Sequence, residues 1–416
     1  MRTAFVMGGI PSLGHSGSTI AAWTILEELL AAGHDVRAVL VPAAELLDES
    51  VPGRLDALRG LEVDVRLVEI KAAAAAPRSR WQARADFVRS LVAPRDEELF
   101  PAARARPQVR EALTGTDALL AFGIEAIAAT AGADEPGLAV LSHPPGVSRR
   151  LRLRYSAPRS LAGRAGERSF LLHADRRTAA LLRRFDRVGV FSEHHADWAR
   201  RHGIDAWYAH YPLPDLAGPQ WRDRRAVGKP NPRPRILLIG HLHGIGTISG
   251  LHPFVESILP RLTQELGPEG FEAHLVGDHQ PPAELREALR HPAVRLRGHI
   301  DDPSDELFRA DVLLAPNPTT TGASARILTG CTFGCCVVAH TDSLVGIPEL
   351  RDGENCLLGA DGPALAEATL RALADPELRE RIGDAGRKLY ERSFSPPVAA
   401  RRLVRKLEAL ASSSER

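Results

Sequence analysis

Immediately after the apolar opening run TAFVM the chain reads GGIPSLGHSGST, with Gly8, Gly9, Gly14 and Gly17 spaced through a loop that also carries His15 and Ser16. A glycine loop that ends at a helix start gathers free backbone N–H groups at the positive end of the helix dipole, which is chemistry for holding a phosphate. Gly9, Gly14, Ser16 and Gly17 are therefore placed to hold a phosphate, with Ser18 or Thr19 capping a helix over about 18–32. The spacing fits neither G-x-G-x-x-G nor the lysine-containing phosphate loop, so dinucleotide and magnesium–ATP chemistry are poorly supported. The plainer reading is a turn in which glycine supplies a positive φ. His15 can serve in such a loop as a base or as a protonated phosphate partner. His143 follows the apolar run LAVLS and precedes Pro144 and Pro145, at a strand's carboxyl end, where ligand-facing residues collect in open α/β sheets. His15, His143 and Glu125 are the candidates for a general base.

The elements that must position these groups follow from the pattern of apolar runs. TAFVMGG, DVRAVLV, ALLAFG, GLAVLSHPP and DRVGVFS alternate with amphipathic stretches, and a second series runs through RPRILLIGH, FEAHLVGD, AVRLRGHI, ADVLLAPN and CCVVAH. Continuous apolar strands separated by helices predict parallel sheets buried on both faces. The expected fold is α/β, two doubly wound domains in tandem with a site in the cleft between the carboxyl ends of their strands. The boundaries read as 1–215, a proline- and charge-rich linker over 216–232, a second domain over 233–392, and a final helical segment over 393–416.

At 416 residues the chain suits two such domains. Lys+Arg 53 against Asp+Glu 52 gives a net charge of +1, so no global field points to nucleic acid. Four cysteines, Cys331, Cys335, Cys336 and Cys356, lack C-x-x-C spacing and read as reduced, packed thiols of a cytoplasmic protein rather than a metal site. The opening apolar run is too short for a signal-peptide core, and no window approaches a membrane span. Locally, residues 146–187 carry twelve arginines against Glu167, Asp175 and Asp186. That basic wall suits an anionic or lipid-linked ligand and peripheral contact with an anionic membrane; a solvated helical face is the other reading. No aromatic platform is interleaved with it, so nucleic-acid binding is not expected.

From Thr319 to His340 the chain reads TTTGASARILTGCTFGCCVVAH. Gly322, Arg326, Leu328, Gly334, Val337, Val338 and Ala339 fall in step with a G-x-x-x-K-x-L-E-A helix followed by G-x-P-V-V-A. The stretch resembles the GT-B glycosyltransferases of the glycogen-synthase and bacterial mannosyltransferase type, family 4-like. The resemblance implies two Rossmann-like domains facing a central cleft, with the last helix crossing back to the first domain. It also implies transfer of a sugar from a nucleotide-sugar donor to an acceptor hydroxyl, with retention and with no cofactor or metal.

The resembling pattern carries two glutamates, one for the transferred sugar and one for the ribose, where this chain has Thr321 and Thr329. A hydroxyl holds a ribose diol less strongly than a carboxylate. The substitutions leave open an unusual donor, ribose binding by another residue, or an inactive relative. In GHLHGIGTISGL, His241 stands at the resembling arginine position and Thr247 near the lysine position, with His243 between. Diphosphate charge would then fall to Gly240, His241 and His243, to Thr321, Gly322, Ala323 and Ser324, and above all to Arg326. Asp278, His299, Ile300 and Thr329 are implied to border the base and ribose, and His143 to touch the donor sugar. The alternatives are a non-hydrolysing nucleotide-sugar epimerase of the same fold and a catalytically silent ligand-binding or scaffold protein.

Overall fold

The structure is a computed structural model and describes residues 1–13, 16–43, 50–70, 80–155, 160–227, 231–242, 244–318 and 322–414. The chain divides into two compact units, Met1–Pro212 with Ala399–Arg416, and Leu213–Val398.

In the first unit seven parallel strands lie in the order β3-β2-β1-β4-β5-β6-β7. They are β1 Arg2–Met7, β2 Asp35–Leu40, β3 Asp64–Leu67, β4 Ala118–Phe122, β5 Gly137–Leu141, β6 Arg187–Val190 and β7 Ala206–Tyr208. The order reverses between β1 and β4, paired in register from Thr3 opposite Ala118 to Met7 opposite Phe122. Because these central strands are apolar throughout, helices must cover both faces, and β4 and β5 are buried along their whole length. Phe5, Phe122, Phe191 and Tyr211 form an aromatic ladder with centroid spacings of 6.3, 5.9 and 5.3 Å. At its end the Tyr211 hydroxyl donates to the Gly17 carbonyl at the start of the first helix.

That helix spans Gly17–Ala31 and is capped by Ser16, not by Ser18 or Thr19. The Thr19 N–H donates to Ser16 Oγ at 3.3 Å and the Ser16 N–H to Thr19 Oγ1 at 3.0 Å, a reciprocal capping box. The closing helix, Pro396–Ser414, lies against the first unit from Ala399 onward. Its Glu408 meets the buried His34 at 3.2 Å, Arg401 meets Glu28 at 3.3 Å, and Lys406 sits 4.7 Å over the Trp207 ring.

The second unit has six parallel strands in the order β10-β9-β8-β11-β12-β13. These are β8 Arg235–Ile239, β9 Glu272–Val276, β10 Val294–Gly298, β11 Val312–Ala315, β12 Cys336–His340 and β13 Leu357–Gly359. The order reverses between β8 and β11, so each unit is a Rossmann-like doubly wound sheet with one switch point.

The segment read as a linker holds a helix, Trp221–Val227, that belongs to the second unit. A Cβ on Gly334, at φ +61°, would fall 2.2 Å from the Trp221 ring, so glycine is required for this contact. Arg225 donates to the Ala310 carbonyl at 2.9 Å, and Asp215 accepts two bonds from the buried Arg387 at 2.7 and 2.6 Å. All four cysteines are free and buried. Burial pushes the Cys331 thiol up and the Cys356 thiol up to about 12. No helix of the described residues is long and apolar enough to cross a membrane.

Candidate functional site

Functional candidates gather at the carboxyl end of each sheet, beside its switch point. In the first unit the chain leaves β1 through Gly8, where a Cβ would lie 2.4 Å from the Cβ of Glu125. Glu125 stands at the start of the helix Ile124–Thr130, just past β4, and accepts the Ala102 N–H at 3.2 Å. Burial raises its carboxyl above the ordinary range. Gly9 is buried with open space at its Cβ position apart from Met7 at 3.6 Å. The Ser16 hydroxyl is engaged in capping and the Gly17 carbonyl accepts from Tyr211, while Gly14 and His15 lie outside the described residues.

His143 sits two residues beyond β5, at the strand end the sequence predicts. Burial and then the nearby Arg152 lower its pKa. A residue that sequence reasoning missed lies beside it. His195, in the first turn of the helix Glu193–Arg201, is only 1% exposed and bonds the Ser142 backbone. Burial, then repulsion from His143 and His194, drops its pKa to about 3. Its Nδ1 has no partner among the described residues. Both imidazoles are therefore neutral near pH 7, suited to hydrogen bonding with uncharged hydroxyls rather than to neutralising a diphosphate. Only the signal that a helix follows β6 could have found His195.

The arginine-rich segment forms the helices Pro145–Tyr155 and Leu161–Leu182. Part of its charge is spent internally: Arg149 pairs with Glu167 at 2.6 Å, Arg150 with Asp175 at 3.1 Å, and Arg177 lies 3.8 Å from Asp96.

In the second unit Arg326 is the centre of a built cradle. It lies in the first turn of the helix Ala325–Thr332, whose N-cap Ser324 makes no side-chain cap bond. Its guanidinium donates to Asn317 Oδ1 at 3.2 Å and to Thr247 Oγ1 at 3.1 Å. Thr247 lies on the helix Ile245–Pro253, which starts past β8, so two helix N-termini converge on this point. Glycines make the space: a Cβ on Gly240, at φ +145°, would come within 2.7 Å of Thr247 Oγ1 and 3.1 Å of Arg326 Nη2. Cβ atoms on Gly246 and Gly250 would likewise press on Arg326 and Asn317, at 3.3 and 2.8 Å. Burial pulls the Arg326 pKa down to about 10, and no carboxylate of the described residues pairs with it. The arrangement holds a desolvated positive charge open to an anion. Asn317 escaped the sequence reading, although a polar residue between two prolines at the end of β11 was its signal.

Around the cradle, Gly322 takes φ +145°, and Ala323 and Ser324 are half-buried at the helix entry. Thr321 and His243 lie outside the described residues. His241 and Asp278, past β8 and β9, stand 3.7 Å apart. His299 instead pairs with Asp301 at the surface, at 3.0 Å, with Ile300 between them. Thr329 is half-buried one turn into its helix, its carbonyl accepting from Thr332 Oγ1 at 2.8 Å. The structure therefore joins Gly240, Thr247 and Arg326, and separately His241 and Asp278.

Residues 233–375 match the model of the family described as glycosyl transferases group 1. No curated protein matches the sequence. Among solved structures the chain is similar to HepE of Anabaena in complex with UDP and glucose, with TM-score 0.65 and 14% identity over 98% of this chain and 99% of that one. It is similar as well to the sucrose-phosphate synthase of Thermosynechococcus elongatus, with TM-score 0.68 and 17% identity over 99% and 100%. A third is WaaG, a glycosyltransferase involved in lipopolysaccharide biosynthesis, with TM-score 0.62 and 15% identity over 97% and 99%. At such identities the likeness is one of fold, and that fold is GT-B. The group 1 match lies across the second sheet of that fold.

Proposed function

We propose that the protein transfers a sugar, with retention, from a nucleoside-diphosphate sugar held by its second unit to an acceptor hydroxyl. The observation that carries this reading is the Arg326 guanidinium, partly buried with no carboxylate partner among the described residues and flanked by two helix N-termini. A desolvated cation of this kind is most stable beside an anion, and a diphosphate accepts from both the guanidinium fork and the helix amides. As the bond between the anomeric carbon and the diphosphate oxygen breaks, the charge on the departing oxygen is met there. The acceptor oxygen forms the new bond and its proton passes to the departing phosphate oxygen. His143, neutral at working pH, is assigned to a donor-sugar hydroxyl. With threonines at 321 and 329, Asp278 is the carboxylate assigned to the ribose.

Support for a uridine donor comes from HepE, solved with UDP-glucose. Support for an anionic or lipid-linked acceptor comes from the first unit. There the exposed Trp81, Leu161 and Leu172, each more than 70% exposed, share two helices with Arg84, Arg164, Arg168 and Arg176.

Calorimetry of the purified protein against UDP, GDP, ADP, CMP and dTDP and their sugar conjugates tests the reading. Selective binding of one diphosphate that is weakened by Arg326→Ala supports it, and indifference to all of them overturns it. Binding without release of sugar to any acceptor would favour the silent ligand-binding protein, and interconversion of two nucleotide sugars the epimerase.

A further inference from the structure

Past the carboxyl ends of β8 and β9 lies a cluster that sugar transfer does not require as a set: His241, Asp278 and His279. Asp278 presents one carboxylate oxygen 3.1 Å from His279 Nδ1 and the other 3.7 Å from His241 Nδ1. The two imidazoles stack with centroids 4.6 Å apart and planes inclined by 17°. One ligand atom from each of the three residues lies within 4.8 Å of the others.

We propose that these three residues bind a divalent transition-metal ion of the zinc class. Two imidazole nitrogens and one carboxylate oxygen suit borderline first-row ions such as zinc and cobalt, whereas calcium and magnesium prefer all-oxygen shells. Metal–ligand bonds of about 2.0–2.2 Å place ligand atoms roughly 3–3.5 Å apart around one ion, so side-chain rotation of about an ångström closes the set. Each ligand is between 41 and 55% exposed in its side chain, which keeps further coordination positions open to water or an anion. Three protein ligands with an open position is the pattern of zinc sites that take an exchangeable partner.

The backbone beneath the cluster is fixed. The Gly240 N–H donates to the Val276 carbonyl at 2.9 Å and the Leu242 N–H to the Asp278 carbonyl at 3.2 Å, so the two segments stay paired beyond their strands. A Cβ on Gly277 would fall 2.0 Å from the Gly240 carbonyl oxygen, so glycine lets the two ligand-bearing segments approach. His279 itself takes φ +69°. A non-glycine residue in the left-handed region is uncommon, and such strain concentrates at ligand-binding positions. No short motif announces this site, because its ligands come from two strand ends 37 residues apart in sequence (278 − 241).

The ion site shares His241 and Asp278 with the donor reading, so its test uses no nucleotide and its failure is separate from failure of that reading. Full-length protein stripped with a chelator is titrated with Co2+ and then Zn2+, following cobalt's visible ligand-field absorption and the heat of binding. One Co2+ per chain, displaced by Zn2+, is expected. His279→Ala and Asp278→Asn should each weaken it by at least about tenfold while keeping the wild-type circular dichroism. His252→Ala, on the helix Ile245–Pro253, should leave it unchanged. Absence of saturable binding by the wild type, or equal binding by both cluster variants, overturns the proposal.

Discussion

The Arg326 guanidinium donates to the Thr247 hydroxyl at 3.1 Å, tying the first turns of two helices 79 positions apart in sequence. The bond satisfies one edge of the fork with a neutral oxygen and leaves its charge uncompensated. A structural arginine would instead take a carboxylate, as Arg387 does with Asp215.

Arg326→Ala should weaken binding of whichever nucleoside diphosphate the wild type prefers by about 1.5–3 kcal/mol, the range for a charge-assisted contact. Arg326→Met should leave the melting temperature of the ligand-free protein unchanged or raised, because it removes a desolvated, unpaired charge. Calorimetry and thermal denaturation read the two effects separately. A variant that lost stability but kept affinity would make Arg326 structural.

His195 predicts an acid-sensitive first unit. The unfolded chain binds a proton near pH 6.5 that the folded site refuses until about 3. Stability is therefore full above pH 6.5 and falls as pH drops below it, by about 2 kcal/mol between pH 6.5 and 5. Urea denaturation at pH 7.5 and 5 should show this loss in the wild type and a flatter profile in His195→Gln.

Gly8→Ala tests the packing that brings β1 against Glu125. Its Cβ would lie 2.4 Å from backbone-anchored Glu125 Cβ, which no rotamer change relieves. A loss of roughly 1–3 kcal/mol is expected in chemical denaturation. Wild-type stability would mean that the two segments separate easily.

Arg387 is 5% exposed and donates to Asp215, Glu391 and the Thr332 carbonyl. Burial works against its charge, and the pairing with Asp215 and Glu391 outweighs that and raises its pKa. Asp215→Ala should cost about 3–5 kcal/mol, because it leaves a buried cation short of its bidentate partner. A melting curve within a degree of wild type would contradict this.

Trp81 and Leu161 stand on the helices Arg80–Val92 and Leu161–Leu182, each with a side chain 79% exposed. Replacing both with serine should reduce sedimentation with anionic lipid vesicles roughly tenfold, from the apolar area lost. Equal sedimentation would leave the basic residues as ordinary solvated surface.

Nine of the ten strands legible in the sequence are mostly buried, which leaves apolar runs of strand length bounded by turn residues, while β10 is an edge strand exposed from Leu296 to Gly298. β3, β7 and β13 were not legible. β3 and β7 are short edge strands, and β3 exposes Arg66 and Leu67, so no apolar run marks it. In the site, Arg326 and Gly240 were visible because a glycine turn before a helix has a local signature. Thr247 beside Asn317, and His195 beside His143, depend on which strand ends the sheet order juxtaposes, and that is a tertiary fact. The helix in the segment read as a linker was masked by its charge, because it buries no residue fully and Trp221 and Arg225, both half-buried, do not make a periodic apolar face.

The four cysteines are buried, and burial raises the Cys331 and Cys356 thiols, which shields them from alkylating dyes. A single cysteine placed on each unit could therefore carry a fluorophore pair without first removing the native ones. Distances between the two halves could then be followed with all four native cysteines in place.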